Sequence, residues 1–219
     1  VWVNGVPVSD PGSSVDPARD RLWLDGRLMS PTALEHWMAH QPCGADRLGS
    51  TPLDAGIAAP QDPAAAGRSG AGRLFAVGRM AAWQTGLQLF TNDGGLACRV
   101  ASPDCPLDED YLALVVGRPT SADLRRLRRA TASWAAMGFR LGTADAGERG
   151  WWLTITAVDR ASRGKLRALL QNVGHPVLQL KRTRLGPLHL GPLELGERRR
   201  LTPDEKDALC AALEGTRSA

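Results

Sequence analysis

The sequence predicts an α+β fold: a mixed, largely antiparallel sheet with flanking helices. Three observations carry this. Strand-like and helix-like patterns alternate irregularly along the chain. Clusters of Gly, Pro, Asn and Asp separate them. The composition is that of a globular chain, with 219 residues, 43% hydrophobic and 23% charged. That length predicts one or two domains with a real core. No apolar run approaches the roughly 18 residues of a membrane-spanning helix.

Val1–Val8 alternates apolar and polar residues around Asn4-Gly5, a hairpin turn pair. The chain begins at Val1 with this strand already under way, so further sequence is expected before it. Ser9–Pro17 is a loop. Arg21–Asp25 is a short strand closed by Gly26. Leu34–Ala39 is a strand ended by Gln41-Pro42-Cys43-Gly44. Gly44–Gly72, rich in Ala, Gly and Pro, reads as a long flexible loop. Leu74–Val77 and Leu87–Thr91 are strands, and Asn92-Asp93-Gly94 is a turn opening a helix over Gly95–Ser102. Tyr111–Val116 is a strand. Thr120 caps a helix over Ser121–Ala130. Trp151–Thr156 is a strand, Ser162–Val173 a helix stopped by Gly174, and Val177–Leu180 a strand. Gly186, Gly191 and Gly196 mark tight turns. Thr202 caps a last helix, Pro203–Glu214, with Pro at its first position.

The formal charge is +4, and all but three of the 27 basic residues are arginines. Arginine grips phosphate bidentately and stacks on bases. From composition alone, a bias of the source genome accounts for this better than RNA binding does. Cys43, Cys98, Cys105 and Cys210 form no CxxC and read as reduced thiols of a cytoplasmic protein. His36 and His40 lie four apart without an evident third ligand, so no metal is expected.

Four blocks, in order, resemble the RNA pseudouridine synthases of the RsuA/RluB type. They are V-W-V-N-G…V-D-P-A-R-D-R-L-W-L-D-G at Val1–Gly26, R-L-F-A-V-G-R-M…T-G-L-Q-L-F-T-N-D-G at Arg73–Gly94, D-Y-L-A-L-V-V-G at Asp110–Gly117, and V-G-H-P-V-L-Q-L-K-R-T-R-L-G-P-L…L-T at Val173–Thr202. The resemblance implies that residues 1–27 are the C-terminal part of a small alpha-L RNA-binding module. It implies a pseudouridine-synthase-like domain over 28–219, with 44–72 its flexible loop.

The resemblance also implies a chemistry. A uridine is flipped out of RNA, an Asp carboxylate attacks the nucleoside, and the detached base rejoins through carbon. No cofactor or metal takes part, and the partner is RNA, in most members ribosomal. The family's G-R-L-D reads Gly78-Arg79-Met80-Ala81 here, so the nucleophile position falls on Ala81. A methyl group cannot attack carbon. The Glu of the following T/S-E-G-L is Thr85. K-P-x-G begins with Gln41, and K-x-Y begins with Glu109. An introduced Asp→Ala change leaves those other departures unexplained, whereas natural divergence explains them together. Tyr111 stands where the family stacks a ring on uracil. Arg167 stands where it places the cation beside the Asp. Alternatively, Tyr111 is a core tyrosine and Arg167 a solvated helix residue.

Candidate RNA contacts are Arg79, the helix face of Arg125, Arg128 and Arg129, and the strand residues Lys181, Arg182 and Arg184. The arginine helix reads equally as a solvated face. Alternation along the strand also permits Arg182 to point inward. Trp2, Trp23, Trp151 and Trp152 read as packed strand residues. Trp83, within the altered nucleophile segment, is expected to fill the former substrate pocket beside Tyr111 and Arg167. The expectation is a cytoplasmic RNA-binding protein that is catalytically dead or impaired. The alternatives are an active ribosomal RNA synthase using a displaced carboxylate, Asp93 or Asp110, and a protein-interaction scaffold without an RNA role.

Overall fold

The computed structural model describes residues 1–10, 12–16, 19–30, 33–44, 74–78, 80–132, 138–144 and 150–215. The expected loop 44–72, apart from Gly44, and Arg79 lie outside them. Two sheets organise these residues. The first is four-stranded, from β1 (Trp2–Val3), β2 (Val6–Pro7), β3 (Leu22–Leu24) and β4 (Arg27–Met29), in the order β2-β1-β3-β4. Asn4-Gly5 turns the first hairpin with φ of 51° and 84°, the left-handed pair a two-residue hairpin requires. Asp25-Gly26 repeats the device with φ of 48° and 78°. Gly26 therefore does not close a strand. It leads into β4, and the sheet runs two residues past the boundary at 27 read from the sequence. Trp2 and Trp23 face each other across this sheet but stay 49% and 39% exposed, so they do not pack in a core among the described residues.

The second sheet contains β5 (His36–Gln41), β6 (Phe75–Val77), β7 (Gln84–Thr91), β8 (Glu109–Val115), β9 (Gly138–Ala144), β10 (Trp151–Val158), β11 (Val177–Leu185), β12 (Leu188–His189) and β13 (Arg198–Arg200). Its order is β13-β5-β7-β11-β8-β10-β9, with β6 paired to β7 and β12 to β11. Every pairing is antiparallel except β11 with β7. The expected mixed, largely antiparallel sheet is present.

Helices α1 (Gly94–Ala101), α2 (Ser121–Ala130), α3 (Arg160–Arg163), α4 (Leu166–Asn172) and α5 (Pro203–Glu214) flank it. Asp93 caps α1 by accepting from the Leu96 N–H, and Thr120 and Thr202 form capping boxes on α2 and α5. The expected single helix 162–173 is split, because the chain breaks at Gly164-Lys165 between α3 and α4. Gly carries the largest backbone-entropy penalty of any non-proline residue in a helix. Arg198–Arg200 is an edge strand on β5, and neither it nor β9 and β12 is among the elements expected from the sequence.

The core forms three clusters, the smallest of them Ala39, Leu74 and Phe90. Met38, Leu87, Leu89, Leu96, Val100, Leu185 and Leu209 join β5, β7 and β11 to α1 and α5. Tyr111, Leu127, Leu153, Ile155, Leu166, Leu170 and Leu180 join β8, β10 and β11 to α2 and α4.

One ion pair outside the core makes stability depend on pH. Arg199 donates to both Glu205 carboxylate oxygens at 2.7 and 2.6 Å. Those bonds hold the Glu205 carboxyl at about 2, below its ordinary 4.5. A depressed carboxylate stabilises the fold above its unfolded value, and that contribution fades as pH falls toward the folded value. The melting temperature is therefore expected to drop between pH 4.5 and 2 more steeply in the native chain than in Arg199→Ala. Parallel curves would remove the pair from the acid response.

Candidate active site

The segment 78–85 meets strand β11 at the start of β7. Gly78 carries φ of 62°, and Met80 is buried. Ala81 is exposed. Its N–H donates to Gln84 Oε1 at 2.8 Å, and its carbonyl accepts from the Gln84 N–H at 2.9 Å. These two bonds form a tight turn delivering Trp83 and Gln84 to the sheet. Gly86 lies directly opposite Arg182 in the parallel β7–β11 pair. A Cβ on Gly86 would stand 2.2 Å from the Arg182 carbonyl oxygen, so only glycine allows this approach.

Beneath that crossing lies a buried charge cluster. Arg182 is fully buried. Its Nε donates to the Leu87 carbonyl at 2.8 Å, and its Nη1 to the Gly78 carbonyl at 2.8 Å and to Glu109 Oε1 at 3.1 Å. The Arg163 Nη1 donates to the same Glu109 oxygen at 3.1 Å. Tyr111 donates its hydroxyl to Glu109 Oε2. Burial, reinforced by the neighbouring Glu109 charge, pushes the Tyr111 phenol far up, so it stays a neutral donor. Glu109 and Tyr111 are two apart on β8, so they share a sheet face, and Arg182 pairs with Tyr111 across the ladder. One carboxylate thus serves two guanidiniums and a phenol.

Above the cluster, the Arg167 guanidinium of α4 stacks on the Trp83 ring, 5.0 Å from its centroid. Trp83 is half-buried and packs against the core that contains Tyr111. The expectation that Trp83 lies beside Tyr111 and Arg167 matches this placement. The arrangement stacks a guanidinium on a ring, and the side chain at position 81 is a methyl group.

Comparison with known proteins decides the ancestry. No family model matches the chain. The chain is 30% identical over 221 residues to an uncharacterised RNA pseudouridine synthase of Aquifex aeolicus, covering 97% of this chain and 84% of that one. The chain belongs to the RNA pseudouridine synthase family. A further family member, from Mycobacterium bovis and also uncharacterised, is 31% identical over 216 residues, with coverage of 97% and 84%. Ribosomal large subunit pseudouridine synthase B of Bacillus subtilis is 30% identical over 151 residues, with coverage of 67% and 62%. A crystal structure of a pseudouridylate synthase shares the fold, with a TM-score of 0.55 at 21% identity over 95% of this chain and 87% of that one.

Set against this family, the sequence-derived RNA contacts divide. Arg182 is corrected: it is buried and neutralised by Glu109, so it does not reach an RNA backbone. Arg184 also differs, because its Nε and Nη2 grip Asp110 at 2.7 Å each and its Nη1 donates to the Gly186 carbonyl at 2.9 Å. Lys181, on the opposite face from Arg182, pairs with Thr85 and Leu112 in the ladder and is half-buried. Arg125, Arg128 and Arg129 are all exposed on α2, with Arg128 donating to the Phe139 carbonyl at 3.2 Å. The clustering of Glu109 with Arg163 escaped the sequence reading. Its only trace was an acid two residues before Tyr111, and nothing local names a partner 54 residues away.

Proposed function

We propose that this chain is an RNA-binding pseudouridine synthase homologue that has lost, or nearly lost, isomerase activity. The observation that carries the reading is the methyl group of Ala81 at the family's nucleophile position, with Arg167 stacked on Trp83. The carboxylates nearest in sequence have other work. Asp93 caps α1 at 3.0 Å, and Asp110 holds Arg184. Glu109 is buried among its three donors. None is free to take the place of the nucleophile.

RNA recognition rests on the exposed cations Arg125, Arg128 and Arg129 of α2, together with Lys181. The four-stranded sheet, through Met29, supplies the end of the alpha-L module, and the residues after it the catalytic-type domain. The name of the Bacillus subtilis relative supports ribosomal RNA as the partner, and a cytoplasmic location goes with that reading. No metal or cofactor enters this reading. No helix among the described residues is long and apolar enough to cross a membrane.

The test incubates the purified protein with ribosomal RNA transcripts and maps products with carbodiimide. The expected result is salt-sensitive binding without detectable pseudouridine. Binding should weaken with a log–log salt slope of about −0.9 for each duplex phosphate contacted. Pseudouridine formed by the native chain rejects the reading. Its loss in Asp93→Asn would assign the chemistry to a displaced carboxylate.

A further inference from the structure

A second polar site lies at the other end of β7. His36 opens β5 opposite Thr91, seven residues along β7 from Gln84. That is roughly 23 Å of strand at ~3.3 Å per residue. Here a cavity of about 310 Å³ is lined by residues that include His36, Arg200, Thr202 and Lys206. Its volume sits at the lower end of the roughly 300–1,000 Å³ typical of ligand sites, room for a sugar and a phosphate.

The hydrogen bonds around Thr91 assign the His36 tautomer. The Thr91 hydroxyl donates to the Glu35 carbonyl at 2.8 Å and accepts from the Asp93 N–H at 3.0 Å. Its single proton is thereby used. The contact of 2.9 Å between Thr91 Oγ1 and His36 Nδ1 must then be donated by the imidazole. Nδ1 carries the proton, and Nε2 of the neutral ring keeps an unused lone pair, able to accept a hydrogen bond. His36 is only 8% exposed, and that Nε2 is buried without a hydrogen-bond partner. Burial lowers the His36 pKa, with the Lys206 charge acting in the same direction, so the ring is neutral at physiological pH. A buried acceptor without a donor costs free energy, and a ligand hydroxyl supplies the donor.

The charges around the cavity suit an anion attached to that hydroxyl. Lys206 is exposed and makes no ion pair among the described residues. Arg200 binds Glu35 at 3.0 Å through one nitrogen, stacks on Trp37 at 5.1 Å, and remains 66% exposed. Glu35 is occupied by Arg200 and by the Trp37 indole N–H at 2.9 Å. Glu35 and Asp207 are the two acids on the lining, and Asp207 is the one outside the Arg200 pair.

We infer that this cavity binds one ribose-phosphate unit within a single-stranded RNA segment, its 2′-hydroxyl donating to His36 Nε2 and its phosphate lying between Lys206 and Arg200. The inference rests on the RNA-binding reading and adds a contact distant from Ala81.

The probe is a uridine hexaribonucleotide, read through the ¹⁵N resonances of the His36 ring. The hexamer is expected to shift Nε2, and the matching deoxy hexamer to bind at least fivefold more weakly without that shift. Lys206→Ala, an exposed change, should weaken the ribo hexamer about tenfold, and Asp207→Asn should tighten it. An unmoved His36 ring, or equal ribo and deoxy affinity, overturns the site. Binding of uridine 3′-monophosphate but not of the hexamer also overturns it, because the pocket then takes free nucleotides. Ribosomal RNA binding is measured separately by filter retention. If that persists while His36 is silent, this site fails alone. If it is absent while the hexamer shifts His36, the broader reading fails instead.

Discussion

Replacing Glu109 by glutamine is expected to lower the unfolding free energy by about 3–5 kcal/mol, the usual cost of removing one partner from a buried ion pair. Arg182 is completely buried, and its side chain otherwise reaches only backbone carbonyls. Those carbonyls accept from Nε and Nη1, while Nη2 is buried without a partner, and they do not neutralise its charge. Arg163 is 21% exposed and can turn toward solvent, so the loss falls chiefly on Arg182. Equilibrium urea unfolding of Glu109→Gln measures the effect. A paired replacement, Glu109→Leu with Arg182→Leu, should be less destabilising than Glu109→Gln, because no buried charge is left alone. A single-variant loss below about 1 kcal/mol would show that water reaches Arg182 and that the cluster is not a buried pair.

Gly86→Ala is expected to cost about 3 kcal/mol or more, combining steric overpacking with left-handed backbone strain. The residue has φ of 113°. The added methyl would lie 2.2 Å from the Arg182 carbonyl oxygen and 2.5 Å from its nitrogen. Both contacts are backbone, so no side-chain rotation relieves them. The β7–β11 pair must separate, and that pair joins the two larger core clusters. The cluster around Arg182 would be disturbed as well. Thermal unfolding of Gly86→Ala and Gly5→Ala gives a direct comparison. Gly5 also has positive φ but nothing within 4 Å of its Cβ position, so it reports backbone strain without the clash. Equal losses in the two variants would dismiss the close approach as the cause.

The Glu109 and Arg167 arrangements bear on the divergence at position 81. An introduced Ala81 alone would leave Arg167 where the family resemblance pairs it with a carboxylate. Instead its guanidinium lies on Trp83, a residue of the same altered segment. Glu109, an acid where the resemblance expects a base, sits under two arginines.

The sequence by itself determined whatever depends on nearest neighbours in the chain. Asn4-Gly5 marked a turn because few other dipeptides accept two left-handed residues. Thr120 and Thr202 marked helix starts because a hydroxyl three residues before a free N–H satisfies it. Membership of the pseudouridine synthase family was legible from four ordered blocks. Tertiary structure decided the rest. Arg182 and Arg184 look alike in the chain, yet one is buried on Glu109 and the other grips Asp110, because strand pairing brings β8 beside β11. Arg198–Arg200 became a strand only because β5 offers an edge to it. The unsatisfied nitrogen of His36 exists only because Thr91, 55 residues away, consumes the other one. Local signals act over three or four residues of backbone. Charge pairing and hydrogen-bond satisfaction depend on which distant strand arrives, and in what register.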